Sequence, residues 1–430
     1  MTSDRVLPGP VSSAAVSSAP SPSLRAFRGR VVLPRKVLDD GAVVVDGATI
    51  AWVGRASEAE GAGYGDVVGR AGAPQSGTTV LPGLVDLHDH GGGGASFPDA
   101  GDLDTARVAV REHLAHGTTS LVASLVTAPR DVLLARTAML ADLADAGEIA
   151  GVHLEGPFLS PDRCGAQNPA DMLAGDPQLV RAVADAARGH LVTMTVAPEV
   201  AGVQGPGGVI DTLVDVGAVP SIGHTDAHWS VTESAIAAGS AALERAGGRA
   251  RSSRLTATHL FNGMRPLHHR DPGPIAACLE AAKRGKVVVE LVGDGTHLDP
   301  GTVATVFELV GADAVALVTD AMAAAGMADG SYQLGPMGVV VAGGVARVAD
   351  GSPEGGAIAG GTAHLLDVVR HTVAAGVPLA DAVRAASLTP AGVLGRADVG
   401  ALEAGRRADV VVTDGDLRVL AVVRAGRSLA

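Results

Sequence analysis

Short β-branched apolar runs alternate along most of the chain with longer stretches whose apolar residues recur at helical spacing. The runs are Val80–Asp86, Thr118–Val126, Ile149–Leu154, Leu191–Val196, Val219–Ile222, Leu255–Thr258, Val287–Val292 and Val315–Thr319. Asp104–Ala115, Asp131–Ala146 and Pro300–Val310 represent the helical stretches between them, and Ala363–Ala375 would be the eighth helix. Strands separated by helices pair in parallel. Eight such units predict an α/β fold of the (β/α)8 TIM-like barrel type, rather than an open doubly wound sheet.

The two ends read differently. Arg30–Leu33, Ala42–Asp46 and Thr49–Val53 are β-type runs with Asp46-Gly47 as a turn signal, and Asp409–Asp414 and Leu417–Val423 match them at the other end. They predict a small β-sandwich domain built from both termini, with 332–348 and its Gly343-Gly344 turn as possible further strands. The expected division is a disordered Ser/Ala/Pro-rich tail (1–23), sandwich parts at 24–79 and 392–430, and a catalytic barrel over 80–391.

Composition narrows the classes. Hydrophobic residues make up 47% of the 430 positions, aromatics only 2%, and there are 58 Gly, so the core is built from small aliphatic side chains. The net charge of −13 opposes binding to nucleic acid or to an anionic membrane. No apolar run approaches the roughly 18 residues of a membrane span, and the start lacks a secretory pattern. Two distant cysteines, Cys164 and Cys278, make neither a disulfide framework nor a Cys-type zinc site. A reducing cytoplasm is the expected location.

In a barrel of this kind the chemistry sits where strands end. The first run leads into Asp86-Leu87-His88-Asp89-His90, the third into His153-Leu154-Glu155-Gly156-Pro157 and the fifth into Gly223-His224-Thr225. The sixth leads into Thr258-His259-Leu260-Phe261-Asn262, the seventh into Gly293-Asp294-Gly295-Thr296-His297 and the eighth into Thr319-Asp320-Ala321. Five of the 14 His thus stand at strand ends beside two acids. Singly, each would read as a hydrogen-bonded core residue; together they read as donors converging on a divalent cation. His88 and His90, two apart on a strand, face one side. His153 reads as a supporting or core residue, His113, His116, His190, His364 and His371 as surface or structural, and Gly91–Gly94 as flexible backbone around the site.

These residues resemble the amidohydrolase superfamily, through Pro82-Gly83-Leu84-Val85-Asp86-Leu87-His88-Asp89-His90 and Thr319-Asp320-Ala321. Within it, His153–Phe158, Gly223-His224-Thr225, Thr258–Met264, Asp294–His297 and Ala357–Gly361 are similar to the N-acetylglucosamine-6-phosphate deacetylases, from about Arg28 onward. The resemblance implies Glu155, His224 and His259 as metal ligands, with His88 and His90 helping to hold a second ion in some members. It implies one or two divalent ions, zinc first and Fe, Co or Mn next. Asp320 matches the catalytic proton carrier. Ala166, Gln167, Asn262, Gly263, Arg270, His297 and the segment Ile358-Ala359-Gly360 match positions that contact the sugar phosphate. The family is usually homodimeric, with the counterpart of Arg270 reaching the phosphate from the neighbouring subunit. One departure stands out: many members carry His where this chain has Gln167, and a basic residue near Cys164.

The activity so implied is hydrolysis of the acetamide of N-acetylglucosamine 6-phosphate, a small amino-sugar phosphate, in amino-sugar recycling. A different N-acyl or cyclic amide substrate is the alternative, although many such enzymes use a carboxylated Lys where this chain has Glu155. A non-catalytic sugar-phosphate binder on the same barrel is a third reading.

Overall fold

The computed structural model describes residues 24–351 and 355–429. The expected disordered tail over 1–23 lies outside them. Eight parallel strands form one sheet: Leu84–Asp89, Thr118–Leu125, Gly151–Glu155, Leu191–Val196, Val219–Ile222, Leu255–Ala257, Val287–Leu291 and Val315–Leu317, each paired with the next. The ring closes where the eighth strand runs out. Asp320 N donates to His88 O at 2.9 Å, and His90 N donates to Ala321 O at 2.7 Å. Closure therefore carries Asp320 onto the His88–His90 segment.

Inward positions change character along the strands. Val122, Val192, Val288 and Ala316 belong to one buried apolar cluster. Farther along, the same strands and their neighbours turn to buried polar residues: Ser124, His153, Thr195, Ser221 and Glu290. Thr195 and Ser221 hydroxyls both meet Thr258 Oγ1, at 2.7 and 2.6 Å. This polar layer is fully partnered where it lies deepest, which makes its burial tolerable.

The terminal strands form one continuous seven-stranded ladder. It comprises Leu24–Leu33, Lys36–Asp46, Thr49–Arg55 and Thr79–Pro82 with Val410–Thr413, Val419–Arg424 and Arg427–Ser428. Alternation along its second strand sends Val43 and Val45 into one apolar cluster and Ala42 and Val44 into another.

Three expectations are corrected. The run Val80–Asp86 is two strands: Thr79–Pro82 pairs with Val410–Thr413 in the terminal ladder, and only from Leu84 does the chain enter the barrel. The switch is at Gly83, where a Cβ would lie 2.1 Å from Thr119 Oγ1. Residues 332–348 do not extend the terminal ladder. Gly330–Leu334, Met337–Ala342 and Val345–Val348 make a separate three-stranded sheet. Its Leu334, Val339 and Val341 pack on Val126, Met322 and Ala359, beside the barrel mouth. Gly91–Gly94 is not slack backbone. It turns tightly, with Gly93 and Gly94 amides bonded to Ala325 and Ala323 carbonyls, and a Cβ on Gly92 would lie 2.6 Å from His113 Nε2.

Candidate active site

The strand ends deliver their polar side chains to one point. Glu155 lies at its centre. Its Oε1 is 2.7 Å from both His224 Nε2 and His259 Nε2, and its Oε2 is 3.1 Å from His90 Nε2 and 3.7 Å from His88 Nε2. Asp320 Oδ1 closes the far side, 3.3 Å from His88 Nε2 and 3.4 Å from His90 Nε2. All six side chains are buried. Two overlapping ligand sets result, His88, His90, Glu155 and Asp320, and Glu155, His224 and His259, with Glu155 common to both.

The hydrogen bonds behind the rings test whether a cation fits. His224 gives its Nδ1 hydrogen to Arg163 O at 2.7 Å, and His90 gives its own to Ser124 O at 3.2 Å. In the neutral tautomers so fixed, each Nε2 is a lone pair aimed at a carboxylate oxygen. Acceptors 2.7 to 3.1 Å apart repel unless a proton or a metal ion lies between them. Nε2 of His88 and Nε2 of His90 face each other in the same way at 2.9 Å. The donor set, imidazole and carboxylate, suits Zn²⁺ and its neighbours.

Burial alone would raise the Glu155 carboxyl, but His224, His259 and His88 outweigh it and hold it well below the usual carboxylate range. Burial likewise opposes the ionised Asp320, and His88 and His90 overcome it. His88, His90 and His224 are pushed up in spite of burial, by Asp320 and Glu155 for the first two and by Glu155 for the third.

Three of these residues sit on left-handed backbone: His224 (φ 45°), His259 (φ 27°) and Asp320 (φ 48°). Such conformations cost about 1–2 kcal/mol each for non-glycine residues. Their concentration at one mouth marks a site whose geometry is held by the surrounding fold.

A cavity of about 210 Å³ opens over the cluster, and the expected substrate-contacting residues line it with one exception. Ala166, Gln167, Asn262, Gly263, His297 and Ile358–Gly360 all face it, together with Leu334 from the three-stranded sheet. Gly263 has φ +57°, and a Cβ there would lie 2.8 Å from His224 Nδ1. His297 gives Nδ1 to Asp294 Oδ2 at 2.8 Å, which leaves Nε2 as its offering to the cavity. Gln167 is engaged at both ends of its amide. It donates to Glu155 Oε2 at 2.6 Å and accepts from Thr127 N at 2.8 Å, so its amide is spent on holding Glu155.

Arg270 is the exception. It stands in the exposed segment 266–270, with Nη1 2.6 Å from His269 Nε2, and does not line the cavity of its own chain. Cys164 is half-buried on the loop preceding Gln167. Two residues escaped the sequence reading. Asp294 was visible beside His297 without a role, and Glu290 sat inside an apolar run. The signal for Glu290 was a lone acid in Val287-Val288-Val289-Glu290-Leu291-Val292, in phase with inward Val288.

The amidohydrolase family matches residues 79–429. The chain belongs to the amidohydrolase family. It is 40% identical to an N-acetyl-D-glucosamine-6-phosphate deacetylase mutant from Mycobacterium smegmatis, solved in complex with N-acetyl-D-glucosamine-6-phosphate, with a TM-score of 0.81 over 94% of this chain and 99% of that one. It is 31% identical to the N-acetylglucosamine-6-phosphate deacetylase of Bacillus subtilis, over 81% of this chain and 84% of that protein. It is 32% identical to the N-acetylgalactosamine-6-phosphate deacetylase of Escherichia coli O157:H7, over 79% of this chain and 85% of that protein. Among the described residues of this amidohydrolase, no helix is long and apolar enough to cross a membrane.

Proposed function

We propose that this amidohydrolase removes the acetyl group from N-acetylglucosamine 6-phosphate, giving acetate and glucosamine 6-phosphate. The observation that carries the reading is a buried carboxylate, Asp320, beside a cluster of imidazole and carboxylate donors on the wall of a cavity of about 210 Å³. The relatives named above support the substrate class.

Glu155, His224 and His259 would hold a divalent ion, and His88 and His90 would help to hold a second; an ion there would supply an acidified water and a polarised acetamide carbonyl. Zinc is the first choice, and Fe, Co and Mn suit the same donors. Asp320 takes the proton of the attacking water and passes it to the nitrogen, so that the amine leaves neutral. His297, held by Asp294, hydrogen-bonds the substrate. Asn262, Gly263 and Ile358–Gly360 shape the sugar subsite. Arg270 pairs with the phosphate of the neighbouring subunit's substrate as a planar fork, so the working unit is a homodimer. The cytoplasm is its place of action.

The test is acetate release from N-acetylglucosamine 6-phosphate, from its galacto epimer and from unphosphorylated N-acetylglucosamine, before and after chelation. Release that needs the phosphate, stops on chelation and returns with added Zn²⁺ is expected. Preference for the galacto epimer would move the reading to that substrate, and no release with any reloaded ion would overturn it.

A further inference from the structure

We propose that Glu290 is a positioning residue that fixes His88 as a ligand and thereby makes this chain a two-ion protein. The inference rests on the proposed metal-dependent reading and adds a determinant of how many ions are held.

Glu290 is the penultimate residue of the seventh barrel strand, is 2% exposed and points to the interior. Its Oε2 lies 3.3 Å from His88 Nδ1 and 3.3 Å from the backbone N–H of His259. Among the described residues no Lys or Arg pairs with it. A buried carboxylate whose one basic partner is an imidazole is costly, so its place demands a reason.

The other rings supply that reason by contrast. His90 and His224 are oriented by neutral carbonyls, Ser124 O and Arg163 O. His259 Nδ1 has no hydrogen-bond partner among the described residues. His88 alone is backed by a carboxylate. An acid at Nδ1 locks the hydrogen there, leaves Nε2 as a lone pair aimed at His90, Glu155 and Asp320, and strengthens that nitrogen as a donor. Charge points the same way. Glu155 and Asp320 offer two negative charges against the four positive charges of two divalent ions, and Glu290 contributes a third next to the His88–His90 half.

The experiment is a Co²⁺ titration of the metal-stripped full chain, followed by visible absorption and by bound metal per chain after dialysis. Glu290→Gln keeps size and one acceptor but loses the charge; Glu290→Leu loses both. The wild-type chain is expected to take up two equivalents. Both variants should keep the first equivalent with unchanged affinity and lose second-ion affinity by about 10–100-fold, Leu more than Gln. Far-ultraviolet circular dichroism of the stripped proteins checks folding, and Glu290→Gln carries the test if Glu290→Leu does not fold. Uptake of one equivalent or none by the wild-type chain overturns the proposal. So does equal second-ion affinity in the wild-type and folded variants, or loss confined to the first equivalent, which would make Glu290 a prop for His259. A wild-type chain that loads two ions yet releases no acetate would overturn the deacetylase reading and leave Glu290 in place.

Discussion

The barrel mouth and the Arg270 hairpin contain equally suggestive residues, yet they end in opposite states. At the mouth, six side chains from distant parts of the sequence are buried in two overlapping groups, the donor atoms of each within 4.8 Å of one another. At the hairpin, His268, His269 and Arg270 are exposed. The base of the hairpin is nevertheless fixed: Arg265 bonds Asp271 and Asp226, and His228 bonds Asp271. A rigid base under an exposed cationic tip is a group presented outward. The comparison teaches that the fold buries the donors of the mouth together, whereas the basic residues of the hairpin stay at the surface of their own chain.

The largest effect should separate the two regions outright. Asp320→Asn keeps the ligand geometry nearly intact but cannot take a proton, so kcat should fall by about 10²–10⁴-fold. That loss should be equal for phosphorylated and unphosphorylated sugars, with the ion on Glu155, His224 and His259 retained. Activity near wild type would remove Asp320 from the mechanism. Next, Arg270→Ala deletes one charge-assisted contact and should raise KM for the phosphorylated sugar by roughly 10–100-fold, with kcat little changed. An equal change for the unphosphorylated sugar would count against a phosphate role.

Mixing the two variants sharpens the comparison further. If Arg270 acts across a dimer, a heterodimer of Asp320→Asn and Arg270→Ala chains contains one site with both native residues. Co-refolded mixtures should then recover activity that neither variant has alone at low substrate; no recovery would mean that Arg270 acts within its own chain or not at all.

The smallest effect concerns pH. Burial disfavours the His297 imidazolium, but Asp294 outweighs it, so its pKa is raised above 6.5. The charged form is therefore present below that raised value and lost as pH rises through it. KM for the phosphorylated sugar should climb over that window. Asp294→Asn should move the climb to lower pH, toward the ~6.5 of an unperturbed imidazole. An unmoved profile would show that His297 does not set it.

The eight barrel strands, seven of them close to their expected bounds, were legible because β-branched runs and helical periodicity are local properties. The first strand was misread because Val80–Val85 reads as one apolar run across Pro82-Gly83; that dipeptide is a local break signal, but which sheet each half joins is settled only by pairing. The hairpins over 330–348 looked like terminal-sheet strands for a similar reason. Their alternation specifies a half-buried sheet, but which surface they cover is settled by packing on Val126 and Met322.

At the site, residue types and their strand-end positions marked His88, His90, Glu155, His224, His259 and Asp320, since spacing in sequence becomes height in a barrel. Sequence could not show that Gln167 spends its amide on Glu155, that His224, His259 and Asp320 take left-handed backbone, or that Glu290 backs His88. Each of these depends on contact between residues 12 to 202 positions apart. The sequence by itself therefore determined the repeating fold and the chemical kinds of donor. Ring closure decided which donors converge, which are held by neutral or charged acceptors, and which basic group faces outward. Periodicity is written in neighbouring residues, whereas the direction of a lone pair depends on whatever the fold brings up behind the ring.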